Sequence, residues 1–277
     1  MTQTASEPAG AAFETRMVEV GGQVLRVGIR KGSGTRPPLL MFNGIGANLE
    51  LAAPFFEALG DTEAVIFDVP GIGGSPAPLL PYRPSTLVRL AHDLMRQLGY
   101  GGQIDVSGVS WGGGAAQQFA FQFPEVCRRL VLVATSPGSI MVPGPADVLV
   151  KMASPKRYMD KAYLRSIAAD IYGGAFRRDP TLIERHAAAM RGSTQYGYAL
   201  QLIAMLGWTS LPWLWTLRQP TLVISGTDDP LIPVINARLL AGLIPRARLE
   251  LVDDGHLFVV TDPKRSAALV EAFLSED

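Results

Sequence analysis

The chain has 277 residues, with 48% hydrophobic and 18% charged residues, which predicts a large buried core and argues against global disorder. Its 25 Lys and Arg residues balance its 25 Asp and Glu residues, so the formal net charge is zero. Nucleic acid is therefore not expected as a partner, since its binding normally requires a clear basic excess.

The amino-terminal part predicts an arm followed by strands. Residues 1–16 are small and polar, without the basic start and apolar stretch of a secretory signal, and we interpret them as a mobile arm. The next residues alternate apolar and polar side chains around Gly21-Gly22, which predicts a β-hairpin. Apolar runs before Asn43 and before Asp68 predict two buried strands, with a helix over residues 49–59 between them.

Strands and helices then alternate along the chain. We expect a helix that begins with Ser85 as its N-cap, a strand up to Val109, a helix from Trp111 to Gln122, and a further strand. After Pro220 the same alternation resumes with strand, helix, strand and final helix. This order predicts an α/β fold, with a mostly parallel sheet covered by helices on both faces.

The middle of the chain, residues 138–218, breaks this alternation. It contains helix-like pieces, many aromatic residues, more basic than acidic residues, and no clear strand. We interpret it as a helical cap, or lid, inserted into a core made of residues 17–137 and 219–277. Residues 199–217 carry no charge and approach the length of a membrane span, but polar, glycine and proline residues interrupt them. They therefore predict a pair of helices, and no transmembrane segment is expected.

Ser110 is the candidate nucleophile. It stands between Gly108 and Gly112, where a predicted strand turns into a predicted helix. Glycines have no Cβ, so strand and helix can approach closely while the serine adopts a strained backbone. This is the G-x-S-x-G nucleophile elbow. The alternative is a plain turn with a capping serine.

A serine nucleophile needs a base, and a histidine base needs an acid. Of the three histidines, we interpret His92 and His186 as surface or structural residues. His256 follows the penultimate predicted strand and can reach a serine at the same sheet edge. Asp229, just after the preceding strand, is the favoured acid, with its neighbour Asp228 as the alternative.

The oxyanion formed during ester hydrolysis needs preorganised N–H donors. We expect one from the backbone of Trp111 and the other from Ile45, in a loop whose flanking glycines can turn the N–H inward. Asn43, Trp208 and Trp213 are candidate substrate-binding residues. This chemistry requires no organic cofactor and no metal, and the single cysteine excludes a cluster of cysteine ligands.

Together these residues mark the α/β-hydrolase superfamily. More narrowly, the chain from about residue 17 to 275 resembles the intracellular poly(3-hydroxyalkanoate) depolymerases of the medium-chain-length type. The resemblance rests on the segments FNGIGANLEL, FDVPGIGGS, GVSWGGGAAQQFA, IYGGAFRRDP, LGWTS, DDPLIP and DDGHLF. Many superfamily members carry His-Gly in the oxyanion loop, whereas Asn43-Gly44 fits the narrower family. Gly114 departs from its pattern, since alanine is expected there.

The resemblance implies an α/β-hydrolase fold with an inserted helical cap. It also implies hydrolysis of the ester bonds of a medium-chain polyester to 3-hydroxy acid monomers or oligomers, through an acyl-enzyme. A cytoplasmic location follows, with association with the surface of polyester storage granules. The oligomeric state is left open.

Other functions stay open on the same residues. A small-molecule carboxylesterase or lactonase, a carbon–carbon bond hydrolase, or an aminopeptidase would carry the same three side chains, because the cap pocket determines the substrate. A binding protein that kept the fold without catalysis is the third class.

Overall fold

The structure is a computed structural model that describes residues 13–190 and 194–276. Most of the predicted arm lies outside the described residues, but its carboxyl-terminal end does not. Strand β1 begins at Glu14, earlier than the predicted boundary at residue 17, because Glu14 pairs with Ile29 of the next strand. Phe13 is buried and packs edge-on against Phe56, with ring centroids 5.6 Å apart. The core therefore starts before Met17.

Eight strands form one mixed sheet, in the order β1-β2-β4-β3-β5-β6-β7-β8. Strand β2 pairs antiparallel with both β1 and β4, and all other pairs are parallel. The parallel sheet predicted from the alternation is thus present, with an antiparallel hairpin at one edge. The strands are β1 Glu14–Val20, β2 Gln23–Arg30, β3 Leu39–Phe42, β4 Ala64–Phe67, β5 Ile104–Val109, β6 Cys127–Val133, β7 Thr221–Gly226 and β8 Ala247–Val252.

Helices cover both faces of the sheet. They are α1 Ala53–Ala58, α2 Pro84–Gln97, α3 Trp111–Gln122, α4 Ala146–Ala153, α5 Lys156–Met159, α6 Lys161–Tyr172, α7 Ala175–Arg178, α8 Pro180–Ala189, α9 Gln195–Met205, α10 Val234–Leu243, α11 Phe258–Thr261 and α12 Pro263–Leu274, with 3-10 turns at Leu49–Ala52 and Leu214–Thr216.

Two details differ from the sequence-based prediction. Helix α2 has Arg83 at its N-cap and Pro84 in its first turn, so Ser85 lies inside the helix. Proline suits the first helical position because its fixed φ is already helical and it has no N–H to satisfy. Helix α11 is short and was not predicted, since four residues carry no helical periodicity.

The core has two main apolar layers, one on each face of the sheet. Strands β3, β4 and β5 are buried along their whole length, as expected for strands covered on both sides. One layer lies under α2, α3 and α10, and the other lies under α1 and α12. Because the strands are packed on both faces, their carboxyl ends hold the following loops in fixed positions.

Residues 138–218, called the cap segment below, carry helices α4–α9 and a third apolar cluster centred on Leu164, Ile171 and Tyr198. Among the described residues, its only β-pairing is an isolated bridge between Gly138 and Thr209. The first part of the uncharged stretch 199–217 forms the carboxyl-terminal part of helix α9, which ends at Met205, and the rest forms turns. No helix within residues 13–190 and 194–276 has the length and apolar character needed to cross a membrane.

Candidate active site

Ser110 occupies a strained turn between β5 and α3. Its backbone angles are φ 55° and ψ −118°, and it is one of two non-glycine residues with positive φ among those described. A Cβ on Gly108 would lie 2.1 Å from the carbonyl oxygen of Gly112, and one on Gly112 would lie 2.2 Å from that of Phe42. No side chain fits at either glycine, so the elbow requires both.

Hydrogen bonds on each side hold this turn. The N–H of Ser110 donates to the carbonyl of Val133 at 2.8 Å, which ties the elbow to the end of β6. Its carbonyl accepts from the Thr135 hydroxyl at 2.7 Å and from the N–H of Gly113 at 2.9 Å. Because both the N–H and the carbonyl of Ser110 are hydrogen-bonded, the surrounding structure holds the residue in its strained conformation.

His256 and Asp229 form a buried pair at the same sheet edge. The Nδ1 of His256 and the Oδ2 of Asp229 are 2.7 Å apart, and both side chains are almost wholly buried. The other carboxylate oxygen accepts the N–H groups of Leu231 and Ile232 at 2.9 and 2.8 Å. The backbone N–H of His256 donates to the carbonyl of Tyr172 at 2.7 Å. The imidazole is therefore oriented, with Nδ1 facing the acid.

Asp228 faces away from His256. Its carboxylate bonds the guanidinium of Arg177 at 2.6 Å and the N–H of Gly174 at 2.7 Å. Both ion-pair side chains are over 40% exposed. Of the two neighbouring aspartates, only Asp229 can support the histidine in this geometry.

Ser110 and His256 line one small cavity of about 50 Å³. No hydrogen bond joins the Ser110 hydroxyl to the imidazole within the described part of the chain. Such bonds are often long without substrate and tighten when it binds. The three side chains come from loops after β5, β7 and β8, whose carboxyl ends share one edge of the sheet.

The two residues expected to supply the oxyanion donors, Ile45 and Trp111, each line a cavity that also includes Ser110. Trp111 is the first residue of α3, so its N–H has no acceptor within the helix. Ile45 lines the cavity and belongs to a turn closed by the N–H of Ala47 on the carbonyl of Gly44, at 3.1 Å. Gly46 has a φ of 69°, which is the left-handed conformation that glycine allows.

Asn43 lines the cavity, but it braces its own loop. Its Nδ2 donates to the carbonyl of Asn48 at 3.0 Å, and its Oδ1 accepts from the N–H of Gly44 at 2.9 Å. These bonds hold the turn that presents Ile45. The arrangement favours a positioning role for Asn43 over the substrate contact predicted from the sequence.

The two tryptophans are placed differently from each other. Trp208 lines a second cavity of about 320 Å³ that also reaches Ser110, and its indole N–H donates to the side-chain oxygen of Gln118 at 2.8 Å. Trp213 stacks on Phe121 with ring centroids 4.4 Å apart and lines neither cavity. Its position does not favour the predicted substrate contact, because its ring packs against Phe121 on one face and meets Trp208 in an edge-to-face contact.

Sequence reasoning missed a polar cluster at one end of the first cavity. Arg157, Tyr172 and His186 line it, and Arg157 is 2% exposed. The guanidinium donates to the hydroxyls of Tyr172 and Tyr198 at 3.0 and 3.3 Å. Burial, together with the charge of Arg157, lowers the pKa of His186 to about 4. No sequence motif joins these residues, which come from α5, α6, α8 and α9.

The described residues contain no group of three or more His, Cys, Asp or Glu side chains placed to hold a metal ion. Cys127 is buried and does not line the cavity that contains Ser110 and His256.

Comparisons with known proteins agree with this architecture. A family model described as alpha/beta hydrolase fold matches residues 37–263. A poly(3-hydroxyalkanoate) depolymerase from Ectopseudomonas oleovorans is 52% identical, over 95% of this chain and 93% of that protein. A 3-oxoadipate enol-lactonase 2 from Acinetobacter baylyi is 28% identical, over 88% of this chain and 90% of that protein. The structure of a hydrolase from Pseudomonas aeruginosa PA01, 24% identical, matches with a TM-score of 0.81 and covers 97% of this chain and 100% of that one. The fold class predicted from the sequence is confirmed.

Proposed function

This chain belongs to the α/β-hydrolase family, and from that premise we propose that it is a serine esterase that hydrolyses a medium-chain poly(3-hydroxyalkanoate) to 3-hydroxy acids or oligomers. The observation that carries the proposal is the 2.7 Å contact between Asp229 and His256, because His256 lines the same cavity as the elbow serine. The 52% identity to a depolymerase over nearly the whole chain supports the substrate class.

The proposed reaction has two steps. His256 takes the proton of the Ser110 hydroxyl as its oxygen attacks the ester carbonyl, and Asp229 stabilises the imidazolium that forms. The N–H groups of Ile45 and Trp111 hold the oxyanion. His256 then protonates the leaving alkoxide, and the acyl-enzyme remains. Water attacks that ester with His256 as base, which releases the acid and restores Ser110.

A second cavity favours an extended apolar substrate. Leu149, Leu202, Met205 and Trp208 line it, and none of the described residues that line it is charged. Apolar walls with a few polar groups near the reacting atoms are typical of sites for lipophilic esters. Alkyl side chains of a medium-chain polyester fit such walls.

A small-molecule lactonase or esterase is the second candidate. The similarity to an enol-lactonase favours it, since the same three side chains serve both reactions.

The decisive experiment compares emulsified medium-chain polyester with short soluble esters, and measures the release of 3-hydroxy acids. We expect release from the polymer by the wild type and none by Ser110→Ala. The exposed Ser85 offers a matched control, and Ser85→Ala should keep full turnover. Turnover of soluble esters without release from polymer would favour the second candidate, and full activity of Ser110→Ala would refute the nucleophile.

We also propose that the protein works in the cytoplasm at the surface of polyester storage granules. Leu206 at the end of α9 is 73% exposed, and the loop before α2 exposes Leu79 at 96% and Leu80 at 76%. Arg83 donates to the carbonyl of Leu206, which brings these two segments together. Exposed apolar side chains of this kind favour contact with a hydrophobic surface. Co-sedimentation with granules should fall when these three leucines are replaced by serine.

A further inference from the structure

Two cavities of very different size meet at Ser110. The larger one, of about 320 Å³, has a volume typical of ligand pockets, which is roughly 300–1,000 Å³. The smaller one, of about 50 Å³, is lined by His256 as well and lies far below that range. A water molecule needs only roughly 10–15 Å³ of such a cavity. The smaller one, called the small cavity below, therefore has room for a few water molecules but not for a medium-length acyl chain.

His186 gives the small cavity a buried polar atom without a partner. The residue is 5% exposed and lines the cavity, and its Nδ1 has no hydrogen-bond partner within the described part of the chain. A buried nitrogen left without a hydrogen bond is costly. Waters enclosed in proteins typically bond such atoms, whereas wholly apolar cavities stay dry. The side chain of His186 thus marks a place for water.

Neighbouring rings hold this imidazole in place. Tyr172 and Phe176 meet it edge-on, with ring centroids 5.4 and 5.6 Å away. The carbonyl of Tyr172 also accepts the backbone N–H of His256 at 2.7 Å. Tyr172 therefore contacts both the ring of His186 and the backbone of the proposed base. All three side chains line the small cavity, so a water bonded to His186 has further polar partners within reach.

His186 can bond water without bringing a charge to the reacting atoms. Burial, together with the charge of Arg157, lowers its pKa to about 4, so the imidazole is neutral at pH 7. A neutral imidazole has one donor and one acceptor nitrogen, and water pairs with either.

A third cavity, of about 220 Å³, lies on the other side of His186. It is lined by His186 together with the half-buried Thr261 and the exposed Arg185, so it reaches the protein surface. His186 therefore separates the small cavity from a pocket that is open to solvent. Water can be replaced from that side while an acyl chain fills the larger cavity.

We propose that His186 is a positioning residue for the hydrolytic water: its Nδ1 holds a water molecule in the small cavity, and deacylation draws its nucleophile from there. The inference rests on the proposed serine-esterase mechanism and adds a residue of the cap segment to its second step. Acylation needs no water, so this role is confined to deacylation.

The step is balanced as ordinary hydrolysis of the acyl-enzyme. The water oxygen bonds the acyl carbon, and its proton passes to Nε2 of His256, whose Nδ1 faces Asp229. The bond between the acyl carbon and the Ser110 oxygen then breaks. His256 returns the proton to that oxygen, and the carboxylic acid leaves.

Stopped-flow kinetics with p-nitrophenyl octanoate separate the two steps, because acylation gives a burst of p-nitrophenol and deacylation sets the steady rate. The burst amplitude counts the active sites, so both rates refer to folded enzyme only. In His186→Phe we expect an unchanged burst rate and a steady rate roughly 3- to 10-fold lower, the effect of one neutral hydrogen bond. His186→Asn, which offers polar atoms near the position of Nδ1, should restore part of the steady rate.

Added methanol distinguishes a water site from a general defect. Methanol competes with water for the acyl-enzyme and gives the methyl ester, and it does not need His186 to the same degree because its methyl group replaces one hydrogen. The ratio of methyl ester to acid should therefore rise in His186→Phe. Ile183→Val is the matched control, since Ile183 is buried in the same helix and lines neither the small nor the third cavity. It should leave the burst, the steady rate and the ratio unchanged.

A crystal structure of the wild type tests the site without any variant. It should show an ordered water roughly 2.7–3.2 Å from the Nδ1 of His186. A dry small cavity, an unchanged ratio in His186→Phe, or an equal fall of both rates would overturn the water site. Failure to release 3-hydroxy acids from the polymer would refute the polyester substrate alone, whereas a wild type that hydrolyses no ester would overturn both proposals.

Discussion

The side chain of Gln201 joins the cap segment to the loop that carries Ile45, because its Oε1 accepts a hydrogen bond from the N–H of Gly46 at 2.6 Å. The backbone carbonyl of the same residue accepts from the indole N–H of Trp111 at 2.9 Å. One buried residue of α9 thus contacts both elements that present the proposed oxyanion donors.

Replacing Gln201 with methionine should lower kcat by roughly tenfold and change stability little. The acceptor for Gly46 is lost, so the oxyanion loop is less firmly held, and a misplaced donor costs catalysis. Stability is buffered because the Nε2 of Gln201 has no partner within the described residues, and methionine removes that buried donor too. Turnover of a soluble ester and urea unfolding measure the two effects separately.

Gln195→Met is the matched control, since Gln195 lies on the same helix and is exposed. It should leave both quantities unchanged. A Gln201→Met variant with wild-type kcat would show that the loop holds its position without this bond.

Sequence patterns predicted which residues lie at the sheet edge, but not the contacts within the cap segment, for a physical reason. The glycines around Ser110 and the strand ends before Asp229 and His256 are local features, and parallel strands bring their carboxyl ends together automatically. The Arg157 cluster and the Gln201 contacts join helices distant in sequence, so only packing brings them together. The role of Trp213 could not be judged for the same reason, because its partner Phe121 belongs to the core.

Changing each of the two neighbouring aspartates to asparagine should affect activity very differently. Asp229→Asn removes the charge that supports the imidazolium and allows the wrong histidine tautomer, so kcat should fall by roughly 10³- to 10⁴-fold. Asp228→Asn breaks an exposed ion pair with Arg177, which is worth about 0–1 kcal/mol, and should keep activity within a few fold. Equal losses in the two variants, measured on a soluble ester, would contradict the assignment of the acid.

The strain at Ser110 should be measurable as stability. Ser110→Gly relieves a positive φ that costs the folded state about 1–3 kcal/mol. Against this gain, the greater freedom of glycine in the unfolded chain lowers stability by about 0.5–1 kcal/mol. Ser110→Ala keeps the Cβ and hence the strain. Both variants should be inactive. In urea unfolding, the free energy of unfolding of the glycine variant should exceed that of the alanine variant by about 1 kcal/mol. If alanine were as stable as glycine, the elbow would store no strain.

Gly114 offers a way to narrow the second cavity. A Cβ there would lie 2.9 Å from the Cε of Met205 and 3.1 Å from the ring of Trp208, so the flexible methionine must shift into the cavity. Gly114→Ala should lower kcat/KM for a decanoate ester relative to a butyrate ester by several fold. Gly242→Ala, in helix α10 with open space around it, tests for a general effect of alanine in a helix and should leave the ratio unchanged.

His186 should make the protein sensitive to acid. Its folded pKa of about 4 lies below its ordinary 6.5, so the unfolded chain binds a proton that the folded chain refuses, and stability is lost as the pH falls from about 6.5 to 4. The loss should reach about 2–3 kcal/mol near pH 4.5, measured by urea unfolding against pH 6.5. His186→Phe, which keeps a ring against Tyr172 and Phe176, should lose less over the same interval. Ile183→Val, a buried substitution in the same helix, is the control and should lower stability equally at both pH values. If His186→Phe lost as much stability at acid pH as the wild type, another group would cause the acid sensitivity.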